Sequence, residues 1–129
     1  DRKKRGEEFL ALALRAQQSN NWSAASKNFA ESMIRYPGPE ALAGYAHANL
    51  RMFGQKRRRD GTTREHMAED VAYALAYYEA ALAANLVLHR LEVEAQAKLR
   101  RDVECLAEFK RAGEPAGECG PVERYLAGD

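Results

Sequence analysis

Large and small residues recur at helical spacing on both sides of a polar turn near the start of the chain. The first run carries Phe9, Leu12, Ala13 and Ala16. The second run follows the polar residues 19–21 and carries Trp22, Ala25, Phe29 and Ser32 before Tyr36-Pro37. Intervals of three and four place such residues on one face of a helix. Because small residues opposite large ones let helices approach closely, the stretch 9–37 predicts two interlocked antiparallel helices closed by a proline.

The composition is that of one domain without a strong net charge. A length of 129 residues and a hydrophobic content of 46% predict a single domain with its own core. The 20 basic and 19 acidic side chains leave a formal charge of +1, which gives no global nucleic-acid signature. No apolar run is expected to approach the roughly 20 residues that span a bilayer. Asp1 in the place of an initiator Met indicates a trimmed chain or a processed product, so the sequence is uninformative about a leader.

The first two helices are predicted over 6–18 and 23–36. The basic lead-in from Arg2 to Arg5 is expected to be solvated and frayed. Pro37 ends the second helix, because proline cannot continue a helix and disfavours helical backbone just before itself.

The pattern returns after Pro39, a favourable first residue for helix three. Two alignments of this helix compete: one uses Ala43, Ala46, His47 and Leu50, and the preferred one uses Leu42, Tyr45 and Ala46. Gly54-Gln55 is expected to form the turn that follows. The second helix of this pair matches the pattern clearly and ends at Asn85. Its matching residues are Ala74, Leu75, Tyr78, Glu79, Ala81 and Leu82.

An insertion over 56–70 separates the two helices of this second pair. Its Thr62-x-x-Glu65 sequence is a capping box, which predicts the start of a helix, and an apolar stripe begins at Met67. The insertion is therefore predicted to lengthen both helices of the second pair. The alternative is a flexible loop before a helix of normal length.

The remaining chain is predicted to be one capping helix over 86–112 and a turn-rich tail over 113–129. Leu88, Leu91, Ala95, Leu99, Val103 and Leu106 form one apolar stripe on that helix. Such a helix can cover the last open apolar face of a helical stack. The tail contains Pro115 and Pro121, and only a short helical turn is expected over 122–126.

The motif residues in 9–37 and 74–85 resemble the tetratricopeptide repeat family. The resemblance implies an all-α fold of about five helices, an antiparallel helix-hairpin solenoid with a right-handed superhelical stack. It divides the chain into repeat one over 6–38 and repeat two over 39–85. It also implies that the first helix of each repeat lines a concave groove that binds a peptide or protein segment.

The same resemblance implies which residues face the groove: Glu7, Leu10, Leu14, Gln17, Gln18, Gly44, Tyr45, Ala48, Arg51 and Met52. One branch of the family binds C-terminal carboxylates through Lys and Asn at four of these positions. Leu10, Leu14, Gly44 and Ala48 stand there instead, so a carboxylate clamp is not expected. The groove is predicted to be apolar and shallow, and to suit an apolar partner segment or the chain's own tail.

The sequence predicts a non-enzymatic adaptor, scaffold or assembly subunit with no cofactor and no metal site. No nucleophile–His–acid constellation or glycine-rich phosphate loop can be argued. His66 and Asp70 have helical spacing, but two donors are too few for a metal site.

The alternative function is binding of nucleic acid, an acidic partner or an anionic lipid surface by a basic patch in the insertion. The patch contains Lys56, Arg57, Arg58, Arg59 and Arg64. A solvated helix tip is the simpler interpretation of these residues. The lead-in could join the patch only if the fold brings the two together.

The two cysteines, Cys105 and Cys119, fit no metal or redox motif. Glycines and Pro115 between them allow the chain to reverse, so a disulfide and two free thiols both remain open. A disulfide favours a periplasmic or exported protein, whereas free thiols favour the cytoplasm.

Amide hydrogen exchange tests the predicted lengthening of the second helix pair. Slow exchange is expected from about Met67 onward, because a hydrogen-bonded helix protects its amides. Rapid exchange through Val71 would show that the insertion is a loop instead.

Overall fold

Six helices make up the chain in a computed structural model that describes residues 1–114 and 117–128. They are α1 (Arg2–Gln18), α2 (Trp22–Arg35), α3 (Pro39–Asp60), α4 (Thr63–Leu88), α5 (Val93–Ala112) and α6 (Gly120–Ala127). These described ranges contain no strand, so the predicted all-α class is confirmed. The predicted count of five helices is wrong, because the tail forms an eight-residue helix. Pro115, predicted to lie in the tail, is outside the described residues.

Each of the first five helices packs against the next, and α6 packs mainly on α3. A small core joins α1, α2 and α3 around Ala13, Trp22 and Phe29. A larger core lies between α3, α4, α5 and α6 and contains Leu50 and Tyr125. The connections between the first five helices are short, so consecutive helices run antiparallel.

The basic lead-in is helical, which corrects the prediction of a frayed start at residues 2–5. Asp1 caps α1, because its side chain accepts a hydrogen bond from the backbone N–H of Lys3 at 3.0 Å. Further along, the hydroxyl of Ser32 donates to the carbonyl of Gly6 at 2.7 Å. This buried hydrogen bond fixes the start of α1 against the end of α2.

The insertion extends both α3 and α4, so the loop alternative is wrong. Helix α3 continues to Asp60, and Gly61 ends it in the left-handed conformation with φ of 68°. Gly54, predicted to begin a turn, lies inside α3 instead. Thr62 precedes α4, but its side chain makes no capping hydrogen bond. The predicted helix start is therefore right in position, while the predicted capping box does not form.

The prediction that one helix spans residues 86–112 is wrong, because α4 runs to Leu88 and α5 begins at Val93. His89 takes the left-handed conformation, with φ of 52°. The side chain of Asn85 stabilises the connection between α4 and α5. Its Oδ1 atom accepts hydrogen bonds from the backbone N–H groups of Arg90 and Leu91, both at 2.9 Å. These bonds hold the connection in place, so Asn85 stabilises the turn without ending the helix itself.

Helix α4 is long and apolar enough to cross a bilayer by length and composition, which corrects the expectation that no such run exists. Its most apolar 18-residue window has a mean hydropathy of 1.4, and 33% of that window is buried. Val71, Leu75 and Tyr78 from this helix lie in the larger core. Packing against α3 and α5 buries part of the apolar surface of α4, whereas Tyr73, Leu86 and Val87 of the same helix stay exposed.

A disulfide joins Cys105 in α5 to Cys119 just before α6, so the disulfide hypothesis is confirmed. Cys119 and Tyr125 are buried in the larger core. The hydroxyl of Tyr125 donates to Oδ2 of Asp70 at 2.6 Å, and Nε of Arg57 donates to the same oxygen at 3.0 Å. The end of the tail is therefore anchored to the larger core through Cys119 and Tyr125.

Replacing both cysteines, as Cys105→Ser with Cys119→Ser, should lower the free energy of unfolding by about 3 kcal/mol, because the bond limits the entropy of the unfolded chain. Urea unfolding of the oxidised wild-type protein and the double variant measures this difference, and reduced wild-type protein is the control that should match the variant. Unfolded, unreduced wild-type protein should show no reactive thiol. Two reactive thiols would contradict the bond.

Candidate binding groove

A cavity of about 290 Å³ lies between α1, α3 and α5. Its walls carry Leu14 and Gln17 from α1, Ala43, Gly44 and His47 from α3, and Ala95, Lys98, Leu99 and Asp102 from α5. Phe29 of α2 and Tyr78 of α4 also line it. Leu14 is 45% exposed although it is apolar. The cavity is thus an open and largely apolar space bordered by three helices.

Gly44 is the residue that allows the floor of this cavity to form. A Cβ atom at this position would overlap the ring of Phe29, so only glycine lets α3 approach α2 this closely. Phe29 itself is buried between the two helices. The close approach sets α1 and α3 on either side of the cavity.

The charged residues at the cavity are paired. Nζ of Lys98 lies 3.3 Å from Oδ2 of Asp102, and Asp102 is only 8% exposed. At the start of α3, Glu40 accepts a hydrogen bond from Nε of Arg90 at 3.0 Å. Each carboxylate thus has a cation beside it, and the walls present little net charge to a ligand.

His47 is neutral at physiological pH, because its surroundings lower its pKa to about 4. Burial is the largest cause of the lowered pKa, followed by the positive charges of Arg124, Arg51 and Lys98. The imidazole packs edge-on against Trp22, with ring centroids 5.2 Å apart. A neutral imidazole adds to the weakly polar character of the cavity wall.

Arg124 of α6 is a partly buried cation near His47 and Tyr78, two residues that line the cavity. Its Nε and Nη2 atoms are buried and have no hydrogen-bond partner among the described residues. Burial, and then the charge of Asp102, raise the pKa of the Tyr78 hydroxyl, whereas Arg124 acts in the opposite direction on the same pKa. Arg124 therefore lies beside Tyr78 and His47, at the boundary between α6 and the open cavity.

The structure brings together only some of the residues predicted to face the groove. Leu14, Gln17 and Gly44 line the cavity. The other residues that were predicted to face the groove lie elsewhere. Leu10, Tyr45 and Met52 pack against the small core, and Ala48 is buried in it. Gln18 is exposed away from the cavity, Arg51 stacks on the ring of Trp22, and Glu7 lines a separate small pocket. The face of α3 that borders the cavity carries Ala43, Gly44 and His47, so residues 45, 48, 51 and 52, which were predicted to bind a partner, do not line it.

Sequence reasoning missed the contribution of α5 to the cavity. The apolar stripe with Ala95 and Leu99 was visible as a helix face, but the sequence does not show which neighbour that face meets. Lys98 and Asp102 gave no signal, because a pair spaced by four residues is common on exposed helix surfaces.

The predicted basic patch is only partly free at the α3–α4 tip. Arg57 binds the buried carboxylate of Asp70, and Nη1 of Arg58 donates to the carbonyl of Ala127. The other three members, Lys56, Arg59 and Arg64, are exposed. Asp70 is occupied by Arg57 and Tyr125, and the described residues contain no group of three or more potential metal ligands.

The lead-in and the basic patch lie at opposite ends of α3. Gly6 lies close to Tyr36 in the short connection before α3, whereas the patch lies at the far end of this 22-residue helix. A helix of that length spans about 33 Å. The two basic segments therefore do not form one surface.

Comparisons with models of protein families, with curated proteins and with solved structures found no match to this chain.

Titration of His47 should make the protein less stable in mild acid. The unfolded chain takes up a proton near pH 6.5, whereas the folded protein takes it up only near pH 4. The contribution of His47 to the free energy of unfolding should fall by about 3 kcal/mol as the pH drops through this window, and it should level off below pH 4.

Urea unfolding from pH 7 to pH 4 measures the fall in the free energy of unfolding. His47→Gln should make this fall smaller by the part that His47 contributes. His66→Gln, a histidine outside the groove, is the matched control and should keep the wild-type fall. Equal pH dependence in wild type and His47→Gln would contradict the assignment.

Proposed function

We propose that this protein is a non-enzymatic interaction module that binds a peptide or protein segment in the groove between α1, α3 and α5. The observation that carries the proposal is the open cavity of about 290 Å³ with mainly apolar walls. Leu14 stands at its rim with nearly half of its side chain exposed. Apolar, concave sites with a few polar groups are typical of ligand-binding surfaces.

The same proposal assigns α1–α2 and α3–α4 to two repeats of tetratricopeptide type, with α5 as the capping helix. Two observations support it. The first helices of the two pairs border one cavity, as the resemblance implies, and α5 borders the same cavity. Phe29 also fits against Gly44 in the manner of a large residue opposite a small one. In this interpretation the protein acts as an adaptor, scaffold or assembly subunit.

The proposed compartment is the periplasm or another exported location. The disulfide between Cys105 and Cys119 supports it, because disulfides persist in oxidising compartments and are rare in the cytosol.

Binding of nucleic acid or an anionic surface by the basic patch is the second candidate. The exposed side chains of Lys56, Arg59 and Arg64 favour it, whereas the engagement of Arg57 and Arg58 within the fold weakens it. Salt distinguishes the two functions. Phosphate contacts weaken steeply as salt rises, and apolar contacts in the groove do not.

Substitution at the groove rim tests the first candidate. Leu14→Glu should reduce capture of a partner from the native source and weaken its affinity by about tenfold or more, because it places a charge against an apolar ligand surface. Helicity and melting temperature should stay near wild type, since Leu14 is 45% exposed.

Leu12→Glu is the matched control. Leu12 lies in the same helix with 44% of its side chain exposed, but it does not line the cavity. Equal loss of binding in both variants would contradict the groove. Unfolding of Leu14→Glu would show that Leu14 belongs to the core.

A further inference from the structure

Helix α6 and the open cavity share one face of α3. Ala43, Gly44 and His47 line the cavity, and the same face continues at intervals of three and four to Gly54 and Arg58. Gly54 lies against the backbone of Tyr125, and Arg58 donates to the carbonyl of Ala127. The second half of this face is therefore covered by α6.

The facing side of α5 shows the same division. Ala95 and Asp102 border the cavity, and Cys105 and Phe109 follow on the same stripe. Cys105 is bonded to Cys119, and Phe109 belongs to the core that includes α6. The groove between α3 and α5 thus has an open outer half and an inner half that α6 fills.

The inner half has the features of a site that binds a short helix. Tyr125 is fully buried and acts as the anchor, with its hydroxyl hydrogen-bonded to Asp70. Arg57 holds that carboxylate with donor–acceptor distances of 3.0 and 3.2 Å. A Cβ at Gly54 would overlap the carbonyl of Tyr125, so glycine is needed for the two helices to approach this closely.

The fit of α6 is nevertheless incomplete. Nε and Nη2 of Arg124 are buried without a partner among the described residues, and unpaired buried donors cost stability. An isolated helix of eight residues is also marginal in water. Helix α6 therefore depends on its contacts in the groove and on the disulfide that tethers it.

We propose that the groove binds a short partner helix with an aromatic anchor, and that α6 is an internal occupant of the inner half which competes with this helix. The disulfide favours α6 in that competition, because a tethered segment acts at a high effective concentration. The inference rests on the proposed function and specifies the class of ligand.

A peptide with the sequence of residues 120–127 is the probe, titrated by fluorescence anisotropy. The receptor is the full chain with Cys105→Ser, Cys119→Ser and Tyr125→Ala, in which α6 has lost its tether and its anchor. The peptide should bind this triple variant at least about tenfold more tightly than it binds the oxidised wild-type protein. An analogue of the peptide with Ala in place of Tyr should not bind.

Two further substitutions in the triple variant assign the binding to the inner half. Adding Gly54→Ala should abolish binding of the peptide, because the methyl group occupies the space of the ligand backbone. Adding Leu12→Glu should leave peptide binding unchanged, because Leu12 is an exposed residue of α1 that does not line the cavity. Failure of this inference is thus distinguishable from failure of the proposed function, which Leu14→Glu tests in the oxidised protein with its natural partner.

Equal peptide binding to the wild-type protein and the triple variant would overturn the proposal, as would no binding to a triple variant that keeps α1 to α5 helical. If the triple variant does not fold, amide exchange of the variant with only Cys105→Ser and Cys119→Ser tests whether the disulfide holds α6 in the groove. The amides of α6 should then exchange at least about tenfold faster than in the oxidised protein, while those of α3 and α4 keep their protection. Unchanged protection of α6 would overturn the role of the disulfide.

Discussion

The contact between Phe29 and Gly44 is the constraint on which the groove depends. A side chain at Gly44 would overlap the aromatic ring, so α2 and α3 meet this closely only with glycine at the crossing. The small core around Phe29 is thereby placed beside α3. This position brings α1 to one side of the cavity that α5 closes on the other. A single small residue therefore decides how near the two helix pairs can pack.

The electrostatics of the groove follow from this close packing. Burial keeps His47 uncharged by lowering its pKa, and the two carboxylates at the cavity, Asp102 and Glu40, are each paired with a cation. Because paired and neutral groups attract a charged ligand only weakly, the binding that we propose would depend mainly on apolar surface and shape. The groove is accordingly better suited to an apolar segment than to a nucleic acid.

In the inner half of the same groove, the buried carboxylate of Asp70 is compensated by polar partners. Asp70 accepts hydrogen bonds from both Arg57 and Tyr125, so its charge is compensated where it is buried. The disulfide adds a covalent link at the start of α6. Arg124 is the exception, since two of its nitrogen atoms are buried without a partner in the described part of the chain. The inner half is therefore well matched to Tyr125 and poorly matched to Arg124.

The sequence by itself determined the all-helical class, the approximate course of α1 to α4 and part of the cavity lining. Periodicity and helix-ending residues act between near neighbours, so the all-α class, the lengthened second pair and the groove position of Leu14 could be predicted. The tertiary structure alone decided that α6 packs on α3, that α5 supplies Lys98 and Asp102, and that Ala43 and His47 of α3 border the cavity. Tyr125 lies 55 residues from Asp70 along the chain. Such a pairing depends on how helices pack in space, and no local pattern of residues encodes it.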